Sequence, residues 1–224
     1  MLTVSEIFLS IQGESALSGR PCSFVRLFGC NLRCAWCDTV YAREDGGEGG
    51  SAPRMSVPDV AAAVERLYAG GGREERLVEI TGGEPLLQPE TAGLCAVFLE
   101  SGCEVTVETN GSLDIAVLPP GVRRIVDVKC PGSGEGGSFL TDNINNIGTG
   151  DELKFVLASI DDAVWAAEFC GRFGLAGRCP ITFSPASPSL PYNMLAEWMT
   201  KTRPAGVRLG IQLHKAIWGD RRGV

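Results

Sequence analysis

Short strand-like segments alternate with helix-like segments along most of the chain, and this alternation constrains the fold more than any other feature. Alternation of this kind predicts parallel strands joined by right-handed helical crossovers. A complete eight-unit barrel needs about 250 residues, whereas this chain has 224 and spends many of them in loops. The sequence therefore predicts an α/β fold, an incomplete and open TIM-like (β/α) barrel, in a single domain over residues 1–224.

The predicted elements are seven strands and four helices. The strands are Ser23–Phe28, Leu77–Ile80, Glu104–Glu108, Arg124–Val128, Glu152–Leu157, Cys179–Phe183 and Arg208–Leu213. The first helix follows a capping box of Ser56 and Asp59 and stops at Gly70–Gly72; the others are Pro89–Ser101, Asp161–Phe173 and Met194–Lys201. The acidic, glycine-rich stretch Arg43–Pro53 is expected to be a flexible connection.

Polar residues follow four of the predicted strands. They are Thr81–Glu84, Glu108–Gly111, Asp127–Lys129 and Ser184–Pro185. Because ligands of parallel α/β folds bind at the carboxyl ends of the strands, we expect these residues to share one face.

The charge balance excludes one class of function. The chain carries 20 Lys and Arg against 27 Asp and Glu, a formal charge of −7, so it lacks the basic footprint of a nucleic-acid binder. It also lacks an apolar run of about 18 residues that could span a membrane. Its first residues do not resemble a secretory signal. We therefore expect a cytoplasmic protein that binds neither nucleic acid nor membrane.

Three of the nine cysteines form the strongest local signal. Cys30, Cys34 and Cys37 have C-x3-C-x2-C spacing on a loop, and thiolates at such spacing can ligate one soft metal centre. A structural zinc site normally has four protein ligands, whereas three thiolates on a four-iron cluster leave one iron open. Cys22 keeps a four-thiolate zinc or ferredoxin-like alternative open. The other five cysteines are expected to be buried, inert thiols.

The cysteine spacing, followed by Gly82–Pro85 after the next strand, resembles the radical S-adenosylmethionine (SAM) superfamily. The resemblance implies the open barrel typical of that superfamily. It also implies that Cys30, Cys34 and Cys37 hold a [4Fe-4S] cluster, and that the methionyl amine and carboxylate of SAM chelate its open iron. The reduced cluster would then cleave SAM to methionine and a 5′-deoxyadenosyl radical. By the same likeness the residues around SAM are Gly82, Gly83, Glu84, Glu108, Thr109, Asn110, Lys129 and, more weakly supported, Ser133.

Further segments narrow the likeness to the 7-carboxy-7-deazaguanine synthase family. They are Ile11–Glu14, Gly19–Pro21, Phe24–Leu27, Gly29–Leu32, Cys37–Thr39, Asp127–Gly132 and Gln212–Lys215. The resemblance implies a ring-contracting lyase of queuosine and 7-deazapurine biosynthesis. Such an enzyme converts 6-carboxy-5,6,7,8-tetrahydropterin to 7-carboxy-7-deazaguanine with loss of ammonia, and it regenerates SAM.

The family likeness also implies roles for individual residues. Ile11, Gln12, Gly13, Arg26 and Thr81 would bind substrate, with the Arg26 guanidinium on the carboxylate. Glu14, Arg26 and His214 would be catalytic, and Thr39 would ligate Mg²⁺, a hard cation that prefers oxygen.

The expected partners are a small pterin substrate, an external electron donor such as flavodoxin or ferredoxin, and a second copy in a homodimer. Two alternatives remain from the sequence. One is a radical SAM activating enzyme for a partner protein, and the other is a non-catalytic iron–sulfur or zinc protein.

Overall fold

A computed structural model describes residues 1–43, 52–69, 76–219 and 221–224. Within these residues nine strands form one sheet, in the order β3-β1-β2-β4-β5-β6-β7-β8-β9. The strands are β1 Leu2–Ile11, β2 Pro21–Leu27, β3 Arg54–Met55, β4 Leu77–Gly82, β5 Glu104–Thr109, β6 Arg123–Asp127, β7 Glu152–Leu157, β8 Ile181–Pro185 and β9 Val207–Leu209. The α-helices are α1 Val57–Leu67, α2 Thr91–Glu100, α3 Ile160–Arg172, α4 Tyr192–Thr202 and α5 Leu213–Trp218.

Seven strands of the sheet are parallel, from β2 through β4 to β9. The sheet does not close on itself, since β3 and β9 are its two ends. This confirms the predicted open (β/α) barrel. The capping box is confirmed as well, because the Ser56 hydroxyl accepts from Asp59 N–H and the Asp59 carboxylate accepts from Ser56 N–H.

The sequence analysis missed the first strand. β1 pairs antiparallel with β2 and places Phe8 on Phe24 at 5.1 Å between ring centroids. Most side chains of β1 are half-buried. Buried and exposed side chains therefore do not alternate clearly along it, and such alternation is the pattern by which a strand is recognised in a sequence.

The prediction of a strand over Arg208–Leu213 is wrong beyond Leu209. Leu213 N–H donates to the Gly13 carbonyl at 2.8 Å instead of to a neighbouring strand, and α5 begins there. The two-residue β3 was also missed. Other boundaries differ by one or two residues. The predicted helix stop at Gly70–Gly72 and residues 44–51 of the predicted connection lie outside the described residues.

Two apolar clusters hold the helices on the sheet. One gathers β1, β2, β4, β5, α1 and α2, and the other gathers β6–β8, α3 and α4. The face of β7 that carries Lys154 is polar instead. There Glu152 is fully buried and accepts from Thr182 Oγ1 at 2.6 Å and Ala16 N–H at 2.7 Å. The loop between β1 and β2 is thereby tied to β7. No helix in the described ranges is long and apolar enough to cross a membrane.

Phe155 lies at the centre of the second cluster, and its truncation is expected to destabilise the fold. It is fully buried and makes edge contacts with Phe169 and Phe183 at 5.8 and 5.4 Å. We expect Phe155→Ala to lower the free energy of unfolding in urea by about 3–5 kcal/mol. Val117→Ala at a 56% exposed position should change it by less than about 0.5 kcal/mol. A loss below about 1 kcal/mol for Phe155→Ala would contradict this packing.

Candidate active site

One cavity of about 310 Å³ lies at the carboxyl ends of the parallel strands. Every residue predicted for the site lines it, except Glu84 and Ser133. The lining members are Ile11, Gln12, Gly13, Glu14, Arg26, Cys30, Cys34, Cys37, Thr39, Thr81, Gly82, Gly83, Glu108, Thr109, Asn110, Lys129 and His214. The polar ends of β4, β5 and β6 meet here as expected, whereas Ser184 and Pro185 of β8 do not line the cavity. The structure thus brings cysteines and polar residues from distant parts of the chain together.

The three cysteines form one wall of the cavity, on a segment we call the cysteine loop (Gly29–Asp38). All three are partly exposed. The loop is fixed by backbone contacts: Ala35 N–H donates to the Ser133 carbonyl at 3.0 Å, and Cys37 N–H to the Cys34 carbonyl at 3.3 Å. Arg33 N–H also donates to Glu135 Oε1 at 2.6 Å. The sulfurs are therefore presented to the cavity by a loop with fixed geometry.

Cys22 lies apart from this wall. It is fully buried in an apolar cluster with Leu17, Phe24 and Leu77, and burial strongly raises the pKa of its thiol. A thiolate is needed to ligate a metal, so this environment disfavours Cys22 as a ligand. The five scattered cysteines, at 95, 103, 130, 170 and 179, are buried as expected.

The donor set fits a cluster better than a single ion. Within the described residues, no three His, Cys, Asp or Glu side chains are grouped closely enough to hold one metal ion. In a [4Fe-4S] cluster each thiolate binds a different iron, so its ligands need not converge on one point. Three soft donors on one wall, beside a polar cavity, match that requirement.

Two glycines let the end of β4 pack directly on the cysteine loop. A Cβ at Gly83 would lie 2.0 Å from the Gly29 carbonyl oxygen, and one at Gly82 would lie 2.1 Å from the Leu27 oxygen. Gly82 also has a φ of +135°, which disfavours any side chain. Glu84 N–H donates to the Gly29 carbonyl at 2.7 Å. Close backbone approach is therefore built into this wall.

Glu84, predicted to lie around SAM, is not among the residues that line the cavity. It is fully buried and accepts from Thr109 Oγ1 at 2.8 Å, Asn110 N–H at 2.7 Å and Leu86 N–H at 3.0 Å. These bonds use its carboxylate to join the ends of β4 and β5. Glu84 thus positions Thr109 and Asn110, which do line the cavity.

Ser133 is likewise outside the cavity. Its hydroxyl donates to the Cys130 carbonyl at 2.6 Å and accepts from Glu135 N–H at 3.1 Å. It is 1% exposed. Its carbonyl supports the cysteine loop, so its role in this structure is to hold that loop.

Lys129 and Asp127 connect the cysteine wall to the rest of the cavity. Lys129 Nζ lies 2.8 Å from Asp127 Oδ2. Burial alone would lower the pKa of Lys129, but the Asp127 carboxylate and the nearby Cys34 sulfur outweigh it and raise that pKa. The second oxygen, Asp127 Oδ1, is buried without a protein partner. An acceptor of this kind at a cavity wall fits a bound ligand.

Lys154 organises the opposite half of the cavity. Its ammonium contacts Glu108, Glu14 Oε2 at 2.8 Å and Asp127 Oδ2 at 3.8 Å. Burial alone would raise the pKa of Glu14, yet the Lys154 charge and hydrogen bonds from Lys154 and Gln212 lower it. Sequence reasoning missed Lys154 and Glu79, and it named Asp127 only as part of a polar strand end. Charged residues inside otherwise apolar parallel strands, as in β4 and β7, are the signal that could have revealed the first two.

Arg26 is held by a carboxylate and two aromatic rings. Its Nε donates to Glu6 Oε1 at 2.6 Å, and Tyr41 Oη donates to the same oxygen at 2.7 Å. Its guanidinium carbon lies 5.9 Å from the centroid of the Phe8 ring and 6.0 Å from that of Tyr41. Fixing the guanidinium through Nε leaves its terminal nitrogens for an anionic ligand.

His214 and Thr39 line the same cavity. His214 stands at the start of α5, not after a strand, and a Cβ at Gly13 would lie 2.1 Å from its Nδ1. Thr39 Oγ1 donates to Asp38 Oδ1 at 2.9 Å, and Asp38 pairs with Lys215 at 3.3 Å.

Residues 221–224 also line the cavity, although sequence analysis gave them no role. Among them, the guanidinium carbon of Arg222 lies 4.0 Å from the centroid of the Tyr41 ring.

Comparison with known proteins decides the family. The radical SAM superfamily model matches residues 25–128. A 7-carboxy-7-deazaguanine synthase of Koribacter versatilis (strain Ellin345) is 42% identical, over 97% of this chain and 97% of its own. One of Chlorobaculum tepidum is 40% identical, over 100% of this chain and 97% of its own. The chain belongs to the 7-carboxy-7-deazaguanine synthase family. It is a radical SAM enzyme, and that superfamily membership implies a [4Fe-4S] cluster and SAM.

Solved structures support the fold of this 7-carboxy-7-deazaguanine synthase family member. The crystal structure of QueE from Escherichia coli superposes with a TM-score of 0.75 at 24% identity, covering 95% of this chain and 94% of that one. Streptococcus suis SuiB bound to S-adenosylmethionine gives 0.54 at 14% identity, covering 81% and 48%. Full-length likeness to the synthases disfavours both the activating-enzyme and the non-catalytic alternatives.

Replacement of single cysteines should separate the cluster ligands from the buried thiol. We expect Cys34→Ala, reconstituted anaerobically, to retain less than about a tenth of the iron and sulfide bound by the wild type, because a thiolate ligand is lost. Cys22→Ala should retain most of both. Iron and sulfide analysis on the same preparations provides the measurement. Equal loss in the two variants would instead support a four-thiolate site.

Removal of the Lys154 charge should destabilise the protein in a pH-dependent way. Lys154→Met leaves Glu14 and Glu108 without their cation, while Asp127 keeps Lys129, so we expect a loss of about 3–5 kcal/mol in the free energy of unfolding at pH 7. Without Lys154, burial raises the pKa of Glu14, so the variant regains stability as this carboxyl takes up a proton. The difference from wild type should therefore shrink from pH 7 to pH 5. Lys201→Met, on the exposed face of α4, is the matched control; a difference that grows toward pH 5 would contradict the account.

Proposed function

We propose that this chain converts 6-carboxy-5,6,7,8-tetrahydropterin to 7-carboxy-7-deazaguanine with loss of ammonia, the product being the one for which its relatives are named. The observation that carries the proposal is the single cavity in which three partly exposed cysteines face a fixed guanidinium and a carboxylate–lysine cluster. Full-length identity of 42% to a 7-carboxy-7-deazaguanine synthase supports the same conclusion. We also propose that residues 1–224 form one domain, since one continuous sheet joins both ends of the described chain.

Cys30, Cys34 and Cys37 would hold the cluster, and Gly82, Gly83, Thr109, Asn110 and Lys129 would surround SAM. When bound, these cofactors supply a carbon-centred radical able to abstract a hydrogen atom from the pterin carbon bearing the carboxylate. The protein's part is to bind, orient and exclude water. Glycine at 82 and 83 lets a ligand approach the backbone, and the Lys129 ammonium offsets negative charge beside Cys34.

The substrate half of the cavity suits a polar, anionic heterocycle. Arg26 can grip a carboxylate through its terminal nitrogens, because its Nε is already held by Glu6. Glu14, held by Lys154 and Gln212, presents a carboxylate to ring N–H donors. Gln12 and Gly13 lie on the same loop, with His214 against Gly13. We assign Ile11 and Thr81, both on the wall, to the same substrate.

Four further assignments belong to the proposal. Thr39 would hold Mg²⁺ against the substrate carboxylate, supported by its place on the wall beside the Asp38 carboxylate. An external one-electron donor such as flavodoxin or ferredoxin would reduce the cluster. The protein would work in the cytoplasm as a homodimer; this rests on family resemblance.

The activity is testable directly. Anaerobically reconstituted protein with SAM, dithionite, Mg²⁺ and 6-carboxytetrahydropterin is expected to form 7-carboxy-7-deazaguanine, followed by ultraviolet absorbance and mass. The Cys34→Ala variant should form less than about a hundredth as much, because it cannot hold the cluster. Cleavage of SAM by the wild type with the pterin unchanged would contradict the substrate assignment and leave the superfamily assignment intact.

A further inference from the structure

Glu79 is a buried carboxyl in the cavity that the proposed function does not use. It lies in the middle of β4, two residues before Thr81, and is 2% exposed. Its neighbours in β4 are apolar and fully buried. A carboxyl at such a position costs free energy unless its contacts compensate, so its contacts define what it does.

A chain of hydrogen bonds runs from Glu79 to the substrate loop. Glu79 Oε2 accepts from Gln12 Nε2 and from Thr106 Oγ1 at 3.2 Å. Gln12 Oε1 in turn accepts from Glu14 N–H at 3.1 Å. The Gln12 amide is thus fixed at both ends, because its oxygen must face Glu14 and its nitrogen must face Glu79. Rotating the amide by 180° would place its NH2 group against the Glu14 N–H, a donor against a donor.

The groups around Glu79 are mostly acidic. Cys22 of β2, Glu14 of the substrate loop, Glu108 of β5 and Lys154 of β7 face it. Lys154 is the one cation among them and is already shared with Glu14, Glu108 and Asp127. Burial, followed by the Glu108 charge, raises the pKa of Glu79 to about 8.

We propose that Glu79 is a positioning and specificity-determining residue for the reaction proposed above. Its carboxyl orients the Gln12 amide, and by staying uncharged it leaves the cavity able to accept an anionic substrate. This inference rests on the proposed function for the identity of the anion, but the orientation of Gln12 does not depend on it.

The charge state of Glu79 predicts in which direction the affinity for an anionic ligand changes with pH. Ionisation of Glu79 at alkaline pH adds a negative charge next to Glu14 and Glu108. Lys154, which faces it, is already shared by three carboxylates, and Arg20, which acts on the neighbouring Cys22, is paired with Glu104 at 2.7 Å. An anionic ligand in the same cavity is then repelled, whereas a neutral one is not. The Glu79→Gln variant keeps an acceptor for the Gln12 amide but cannot ionise. It therefore separates the effect of residue 79 on the orientation of Gln12 from the effect of its charge on ligand binding.

Binding of pterins provides the first test, since they fluoresce and need no turnover. For the wild type we expect the dissociation constant of 6-carboxypterin to rise about five- to tenfold from pH 7 to pH 9, relative to that of pterin lacking the carboxylate. The analogue without the carboxylate corrects for ionisation of the ring, which the two ligands share. This relative weakening should vanish in Glu79→Gln. In Thr106→Val it should move to higher pH, because the hydrogen bond from Thr106 lowers the pKa of Glu79. An equal weakening in Glu79→Gln would overturn the charge role.

Orientation of Gln12 is tested by hydrogen exchange and by rescue. In Glu79→Leu, the amides of residues 12–17 should exchange at least about tenfold faster than in the wild type, and Glu79→Gln should restore slow exchange. We expect kcat/KM at pH 7 to be lowered in Glu79→Leu, mainly through a higher KM, and to be restored in Glu79→Gln. If Glu79→Leu fails to fold, Glu79→Gln alone decides through the pH comparison. If the wild type binds neither pterin, the proposed function fails. Unchanged hydrogen exchange in Glu79→Leu would separately overturn the role of Glu79 in orienting Gln12.

Discussion

The buried Lys154 ammonium is the contact on which the arrangement of the cavity depends. It joins Glu14 from the loop after β1, Glu108 from β5 and Asp127 from β6. Each of these carboxylates would be costly to bury alone. Lys154 thereby fixes the relative positions of three elements that reach the cavity from different parts of the chain. The same cation is already shared by three carboxylates, so the charge state of the neighbouring Glu79 carboxyl matters to the electrostatics of the cavity.

The two halves of the cavity are linked through Asp127. One of its oxygens contacts Lys129 beside the cysteine wall and lies 3.8 Å from Lys154 in the substrate half. Cofactor and substrate residues are thus parts of one electrostatic network. In a radical reaction the reacting carbon must lie close to the radical, and effective catalysis depends on such orientation. A shared network across the cavity holds the cofactor and substrate residues at fixed positions relative to each other.

Sequence reasoning could predict the parallel strands and the cysteine wall, because both depend on local patterns. Glu152–Leu157 was predicted with its observed bounds, and the capping box at Ser56 and Asp59 formed as expected. β1 was missed because its half-buried side chains show little alternation. Glu84 and Ser133 are buried beside the cavity and do not line it, which a motif could not show because it does not tell which way a side chain points. Lys154 and Glu79 could not be assigned without their partners, which are distant in sequence.

The most direct test of the central claim is the fate of a deuterium label. Substrate carrying deuterium on the pterin carbon bearing the carboxylate would be turned over anaerobically, and the recovered SAM would be analysed by mass spectrometry. The account predicts deuterium at the 5′ carbon of SAM together with 7-carboxy-7-deazaguanine, since the hydrogen leaves that carbon and SAM is regenerated. Product formation with unlabelled SAM, or SAM consumed one for one without product, would contradict it.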